Sequence, residues 1–358
     1  MDVPSLPTMS VPEELAYYYA LTRDRYTGAG AVVEVGCWLG AGTVRLAAGL
    51  RDGGKPGRVV AIDRFVWQGE LYERIHPAGL AAGDDFQPLF VELTRPLAPW
   101  IKSVRTEVAG FRWDRGPIEI LVVDAPKQAA DVVAVIDGLA GSLLPAGGVL
   151  AFQDYLHPPS YALPAILSLL GDALAQETVI IEGCLVAFAS RRPIRLDDDA
   201  RARTDLGRWT VGEAQAAFAR VAASLPDAAA NVVRLSLAFF LHDLHATEAA
   251  CALAGSLAAD PDLRWRMGIL APKSVYWRYR PIFEVFGIAP ERLTADMLVK
   301  RSIFEHRDGR TDAAIAACRQ ALEIEPCHPA ATARLAKLEA LGRRPRPQSA
   351  LASRPPSA

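Results

Sequence analysis

Four short runs bring together the side chains most able to do chemistry. In VVEVGCWLGAGTVRLA, Val32 to Ala47, the carboxylate of Glu34 stands two residues before Gly36, and Cys37, Gly40, Gly42 and Thr43 follow. The glycines let a ligand approach the backbone, and a helix opening at Thr43 aims unpaired N–H groups at it. A dinucleotide fingerprint reads GxGxxG, whereas the first two glycines here are four residues apart. The acid repels a pyrophosphate and suits a ligand carrying positive charge. A second run, RVVAID, ends in Asp63, an acid able to accept both hydroxyls of a ribose. The last two, VVDAPKQAAD and AFQDYLH, supply Asp124, Lys127, Asp154 and His157.

The elements that must hold these residues are strands. From Ala31 to Ser190, runs such as AVVEVG, RVVAID, IKSVRTEV, IEILVVDA and GGVLAFQDY alternate with helical stretches. Continuous Val/Ile/Leu runs separated by crossover-length segments predict a mostly parallel, doubly wound sheet with helices on both faces. TVIIEGCLVAFAS joins its two strands through Glu182-Gly183, too short for a crossover, so the last pair is an antiparallel hairpin. VPEELAYYYALTRDRYTG is read as a helix covering the sheet, and Trp67 to Trp100 as a loop with short helix over its top. In such a sheet Asp124, Lys127 and Asp154 point into the crevice at the strand ends, where ligands bind.

With these residues in view, Val32 to Ala47 resembles motif I of class I S-adenosylmethionine-dependent methyltransferases. Within them it is similar to the catechol, caffeoyl-coenzyme-A and macrocin-type O-methyltransferases, over roughly Pro12 to Ser190 and including the reversed last strand. The resemblance implies an α/β, Rossmann-like methyltransferase fold binding S-adenosylmethionine through Glu34, Gly36, Cys37, Gly40, Gly42, Thr43, Asp63 and Asp124. It implies metal ligation by Asp124 and Asp154, with magnesium as the ion, and a lysine, Lys127, that helps deprotonate the acceptor hydroxyl. A metal-free variant would instead rely on Lys127, Asp154 or His157 for catalysis. Tyr155 stands where the catechol-type family has Asn, and Pro126-Lys127 where the macrocin type has an acid and a histidine. The third metal ligand is missing from the pattern. Glu107 falls in the segment that contacts adenine in the family, and reads equally as a solvated carboxylate.

Plainer readings stand beside these. Asp124 and Asp154 could cap the helices that follow their strands, Lys127 could be a solvated surface lysine, and Cys37 is better read as a small buried residue than as a nucleophile. His242, His245 and Glu248, at helix spacing, are read as structural, and Trp265 and Trp277 as core.

SRRPIRLDDDARARTD is densely charged and is expected to link two domains, giving a methyltransferase domain over 1–190 and a linker over 191–205. An all-α helical repeat domain is expected over 206–341, and a disordered basic tail over 342–358. Ala314, Ala321 and Pro326 repeat the spacing of Ala249, Ser256 and Pro261, and more loosely of Ala214, Val221 and Pro226. FEHRDGRTDAAIAACRQALEIEPCHPAATARLAKLEAL resembles one tetratricopeptide repeat, with Gly309 at its turn. Such surfaces take a protein partner, and a second copy of the chain is a further candidate.

Composition narrows the classes. With 39 basic and 41 acidic residues and a net charge of -2, the chain has no field for nucleic acid. No run is long and apolar enough for a bilayer, and MDVPSLPTMSVPEEL lacks the basic start and apolar core of a signal peptide. Five cysteines without a CxxC pair suit a reducing compartment, so the expected location is cytoplasmic. The expected activity is methylation of a hydroxyl on a sugar, glycan or secondary metabolite. The alternative is a non-catalytic, methyltransferase-like scaffold assembling partners through its repeats.

Overall fold

Seven strands form one sheet in the computed structural model, which describes residues 3–68, 72, 76, 78–125, 127–271, 275–289, 294–307 and 310–342. They are β1 (Ala31–Val35), β2 (Val59–Asp63), β3 (Ile101–Arg105), β4 (Ile118–Val123), β5 (Val149–Phe152), β6 (Leu174–Ile180) and β7 (Leu185–Ser190). Their order is β3-β2-β1-β4-β5-β7-β6. β1 to β5 are mutually parallel, and β7 runs antiparallel to both β5 and β6. The strand order therefore turns back between β1 and β4, and the crevice of a doubly wound sheet opens above the carboxyl ends of those two strands.

Both faces are covered, as the unbroken apolar runs require. On one face Val32, Ile120, Val122, Val149 and Ala151 pack with α1 (Pro12–Ala20), the turn after it and α2 (Ala41–Asp52) through Tyr18, Leu21, Val44, Ala47 and Leu50. Alternate positions Val33, Val35, Leu121, Val123, Leu150 and Phe152 are buried as well. Helix α2 comes very close, at Gly49, to the end of α1 and the turn after it, where a Cβ would collide with the Tyr19 carbonyl and the Thr22 hydroxyl. That hydroxyl bonds the Leu46 carbonyl at 2.8 Å. The Trp67–Trp100 stretch contains one regular helix, α3 (Gln87–Thr94), and buries Trp67, Phe86 and Phe90. Two further helices follow, α4 (Ala129–Gly138) and α5 (Ala162–Leu167).

The division of the chain differs from the sequence expectation. Its two compact units are Met1–Leu253 and Ala254–Ala358, so the boundary does not fall within 191–205. That charged stretch forms α6 (Asp198–Ala202) and buries Ile194, Leu196 and Ala200. Arg201 makes a two-pronged bond to Asp137 on α4, at 2.8 and 2.9 Å. The charges lie outward while every few residues an apolar side chain turns in, a pattern that density of charge conceals. The next helices, α7 (Val211–Ala223) and α8 (Asp227–Asp243), also belong to the first unit. Tyr161 stacks on Phe240 of α8 with ring centroids 4.9 Å apart and bonds Asp243 at 2.6 Å. His242, His245 and Glu248 do not share a helix: α8 stops at Asp243, and His245 is a turn residue with φ of 61°.

Helix α9 (Thr247–Leu257) runs across the boundary. The second unit contains α10 (Pro261–Leu270), α11 (Val275–Arg278), α12 (Arg280–Val285), α13 (Ala295–Arg307), α14 (Thr311–Ile324) and α15 (Pro329–Gly342). It has no strand among the described residues. Ala314, Cys318 and Leu338 form one small core there, and Ala295, Leu298, Ala321 and Ala331 another. The buried Ser302 hydroxyl receives the Cys318 thiol and the Arg334 guanidinium, at 3.1 and 2.8 Å. Trp265, expected in the core, is 61% exposed. Gly309 and residues 343–358 lie outside the described residues.

Candidate active site

Glu34 is the penultimate residue of β1, on the face covered by α1 and α2, and is buried. The Thr43 hydroxyl, from the first turn of α2, donates to one of its oxygens. Gly42 is where the other oxygen passes, and a Cβ there would strike Glu34 Oε1. Burial pushes the Glu34 carboxyl up to about 8, helped by the nearby charges of Asp124 and Asp63. Gly36 closes β1 with its N–H on the Ile62 carbonyl. Gly40, with φ of 89°, has no room for a side chain, because a Cβ would stand 2.5 Å from Thr94 Cγ2. Cys37 is buried and its thiol is pushed well up by desolvation, so it is a packing residue, with no thiolate to offer.

Asp63 ends β2 and holds two loops together. It accepts the Trp38 N–H at 3.1 Å on one oxygen and the Phe65 N–H at 2.8 Å on the other. Both donors are non-glycine residues in the left-handed region, with φ of 42° and 55°. Such backbone costs about 1–3 kcal/mol per residue unless its surroundings fix it, and the Asp63 carboxylate does so. Burial raises the Asp63 pKa against those two bonds. Each carboxylate oxygen retains a lone pair for a ligand hydroxyl.

Across the crevice, Asp124 follows β4 and Asp154 follows β5. The Lys127 ammonium lies between them: it contacts Asp154 directly, stands 3.5 Å from Asp124 Oδ1 and bonds the Asp124 carbonyl at 3.1 Å. Burial raises the Asp124 pKa, and Lys127 opposes the rise. His157 sits on the turn after Asp154, with Nδ1 3.0 Å from Ser160 Oγ. Glu107 is exposed and lies 3.8 Å from Arg64. Pro126 is outside the described residues.

The metal expectation does not fit these residues. Lys127 already supplies the cation between Asp124 and Asp154, and Tyr155 is turned into the core, 2% exposed and edge-on to Phe188. No group of three ligating side chains occurs among the described residues.

Two contributors escaped the sequence reading, both on α1. The Tyr18 hydroxyl bonds Gln153 Oε1 at 3.0 Å, and Gln153 Nε2 bonds Ser10 Oγ at 2.9 Å, tying the N-terminal segment to the end of β5. Glu14 is buried beside them. An acid in the first turn of a helix is commonplace, favoured by the helix dipole. The aromatic cluster of Trp38, Phe65, Trp67, Tyr72 and Phe86 over the β2 end was likewise unread.

Residues 33–155 match the family described as Methyltransferase domain. That family implies S-adenosylmethionine as its cofactor, and the matched stretch contains every residue described above from Glu34 to Tyr155. Among solved structures, one titled "Structure of the Pyocyanin Biosynthetic Protein PhzM" is similar at 13% identity, with a TM-score of 0.33, over 50% of this chain. The match spans 55% of that protein's own length. No curated protein matches.

Proposed function

We propose that the chain is an S-adenosylmethionine-dependent O-methyltransferase acting on a hydroxyl of a sugar or related secondary metabolite. The observation that carries this reading is the Lys127 bridge between Asp124 and Asp154, with Asp124 close enough to Glu34 and Asp63 for their charges to interact. The glycine loop and the acids at the ends of β1 and β2 fit the cofactor, a cation with a ribose; when bound, it supplies an electrophilic methyl group.

The protein's share is positioning and proton handling. Glu34 fixes the start of α2 through Thr43, and Asp63 fixes the two loops beside the ribose position. In-line transfer requires the acceptor oxygen aligned and losing its proton as the new C–O bond forms and the C–S bond breaks, its electrons staying on sulfur. Asp154 accepts that proton, and the Lys127 ammonium hydrogen-bonds the oxygen as negative charge develops. His157 is the second proton acceptor available on the same turn. No step is assigned to a metal.

The same reading gives the second unit a tetratricopeptide-like surface for a protein partner or a second copy of the chain. Cytoplasmic work is supported by five free cysteines. No helix among the described residues is long and apolar enough to cross a membrane.

Calorimetry with S-adenosylmethionine and S-adenosylhomocysteine tests the proposal. Micromolar binding that disappears in Asp63→Ala, and is unchanged by magnesium or a chelator, is expected. Folded wild-type protein that binds neither ligand would overturn it.

A further inference from the structure

One oxygen at the acceptor side of the crevice has nothing to bind. Glu14, in the first turn of α1, is 1% exposed. Its Oε2 accepts the Val11 N–H at 3.2 Å, while Oε1 is buried without a hydrogen-bond partner. The side chain lies against Gly183, in the turn joining β6 to β7, where any Cβ would collide with the carboxyl group. That turn is at the end of the sheet where Asp124 and Asp154 emerge, because β7 runs antiparallel to β5 with Val186 opposite Phe152. The charges acting on Glu14 are those of Asp124 and Glu13, both negative, and Tyr18 stands beside it on its own helix. Buried polar atoms left without partners in a native fold call for an explanation, and a ligand donor is one.

We propose that Glu14 anchors the methyl acceptor by taking a protonated amino group on Oε1, so that the acceptor is an amine-bearing sugar methylated on a neighbouring hydroxyl. This rests on the methyltransferase reading and deepens it.

A hydroxyl alone would satisfy Oε1, yet it would bring no positive charge into the field of Asp124 and Glu13. Burial first, and those charges after it, push the Glu14 carboxyl up to about 8. An incoming ammonium takes over from that proton: its N–H donates to Oε1, and the carboxyl proton passes to solvent. The nitrogen, with its lone pair held in an N–H bond, is no nucleophile. Attack is left to the oxygen.

The test is calorimetry on the full chain saturated with S-adenosylhomocysteine, using glucosamine and uncharged N-acetylglucosamine as probes. Glucosamine should bind, with N-acetylglucosamine about tenfold weaker or worse. Repeating the titration in buffers of different ionisation heat should show release of about one proton. In Glu14→Gln the preference and the proton release should both vanish, with S-adenosylhomocysteine affinity kept. Equal binding of the two sugars, binding of neither, or a preference that survives Glu14→Gln would overturn the inference. The two-sugar comparison on wild-type protein decides the matter even if the variant folds poorly. Failure of S-adenosylhomocysteine itself to bind would instead strike the methyltransferase reading.

Discussion

A methyl group added at Gly42 would run into Glu34 Oε1 and lie 3.5 Å from Tyr18 Cδ2, so the glycine, the buried acid and the tyrosine form one unit. Gly42→Ala must move the carboxylate off the Thr43 hydroxyl or shift the start of α2. Leaving a buried acceptor unpaired costs about 1–3 kcal/mol. The expected result is a lower Tm and loss of S-adenosylhomocysteine binding, read by thermal melts and calorimetry. Titration gives a second check. Glu14 and Glu34 have folded pKa values near 8 against an unfolded value of 4.5. Between those limits the unfolded chain loses protons that the folded chain keeps, so stability falls as pH rises from about 5 to 8 and levels above. Melts of ligand-free protein across that range should show the decline, and Glu14→Gln should flatten part of it. The residues legible in the sequence, Glu34, Gly40, Gly42 and Asp63, are those whose type the backbone dictates at a strand end. Glu14 and Tyr18 were not legible. Their contribution comes from packing against a turn and a strand end more than 130 residues away.

Strands declared themselves because burial on both sides demands unbroken apolar runs, and the hairpin because two residues cannot make a crossover. Irregular segments held in place by one distant side chain gave no such signal. The loop entering β1 is the clearest case: Glu119, on β4, accepts the N–H groups of Thr27, Gly28, Ala29 and Gly30 at 2.6 to 3.3 Å. In the sequence it is an acid interrupting a strand, which pattern alone reads as a solvent-facing position. Glu119→Ala strands four donors at the edge of the core. It should lower stability by about 2–4 kcal/mol, more than a single lost hydrogen bond would. Urea unfolding of the variant would measure this. A change under about 0.5 kcal/mol, the range of ordinary surface substitutions, would mean that water replaces the carboxylate without penalty.

At the scale of the whole chain, the decisive question is where the sheet-bearing unit ends. A sequence reader stops at the charged stretch before Asp205, because charge density is the usual mark of a linker. The fold continues: Trp209 and Phe218 reach Phe240 with ring centroids 5.8 and 6.0 Å apart, and Phe240 in turn stacks on Tyr161, just beyond β5. Removing α7 and α8 would bare Tyr161 and the apolar surface around α5, whose six residues are all buried. Burial of such surface is worth roughly 25 cal/mol per Å², and these two helices carry fifteen buried residues between them. A fragment ending after Asp205 should therefore aggregate or melt without cooperativity. One ending after Leu257, at the close of α9, should unfold in a single transition and keep S-adenosylhomocysteine affinity. Equal behaviour of the two fragments in circular-dichroism melts would show that α7 and α8 decorate the sheet unit without completing it. If only the longer fragment binds the ligand, the ligand-binding unit extends, by packing alone, about 100 residues beyond the stretch that matches the family.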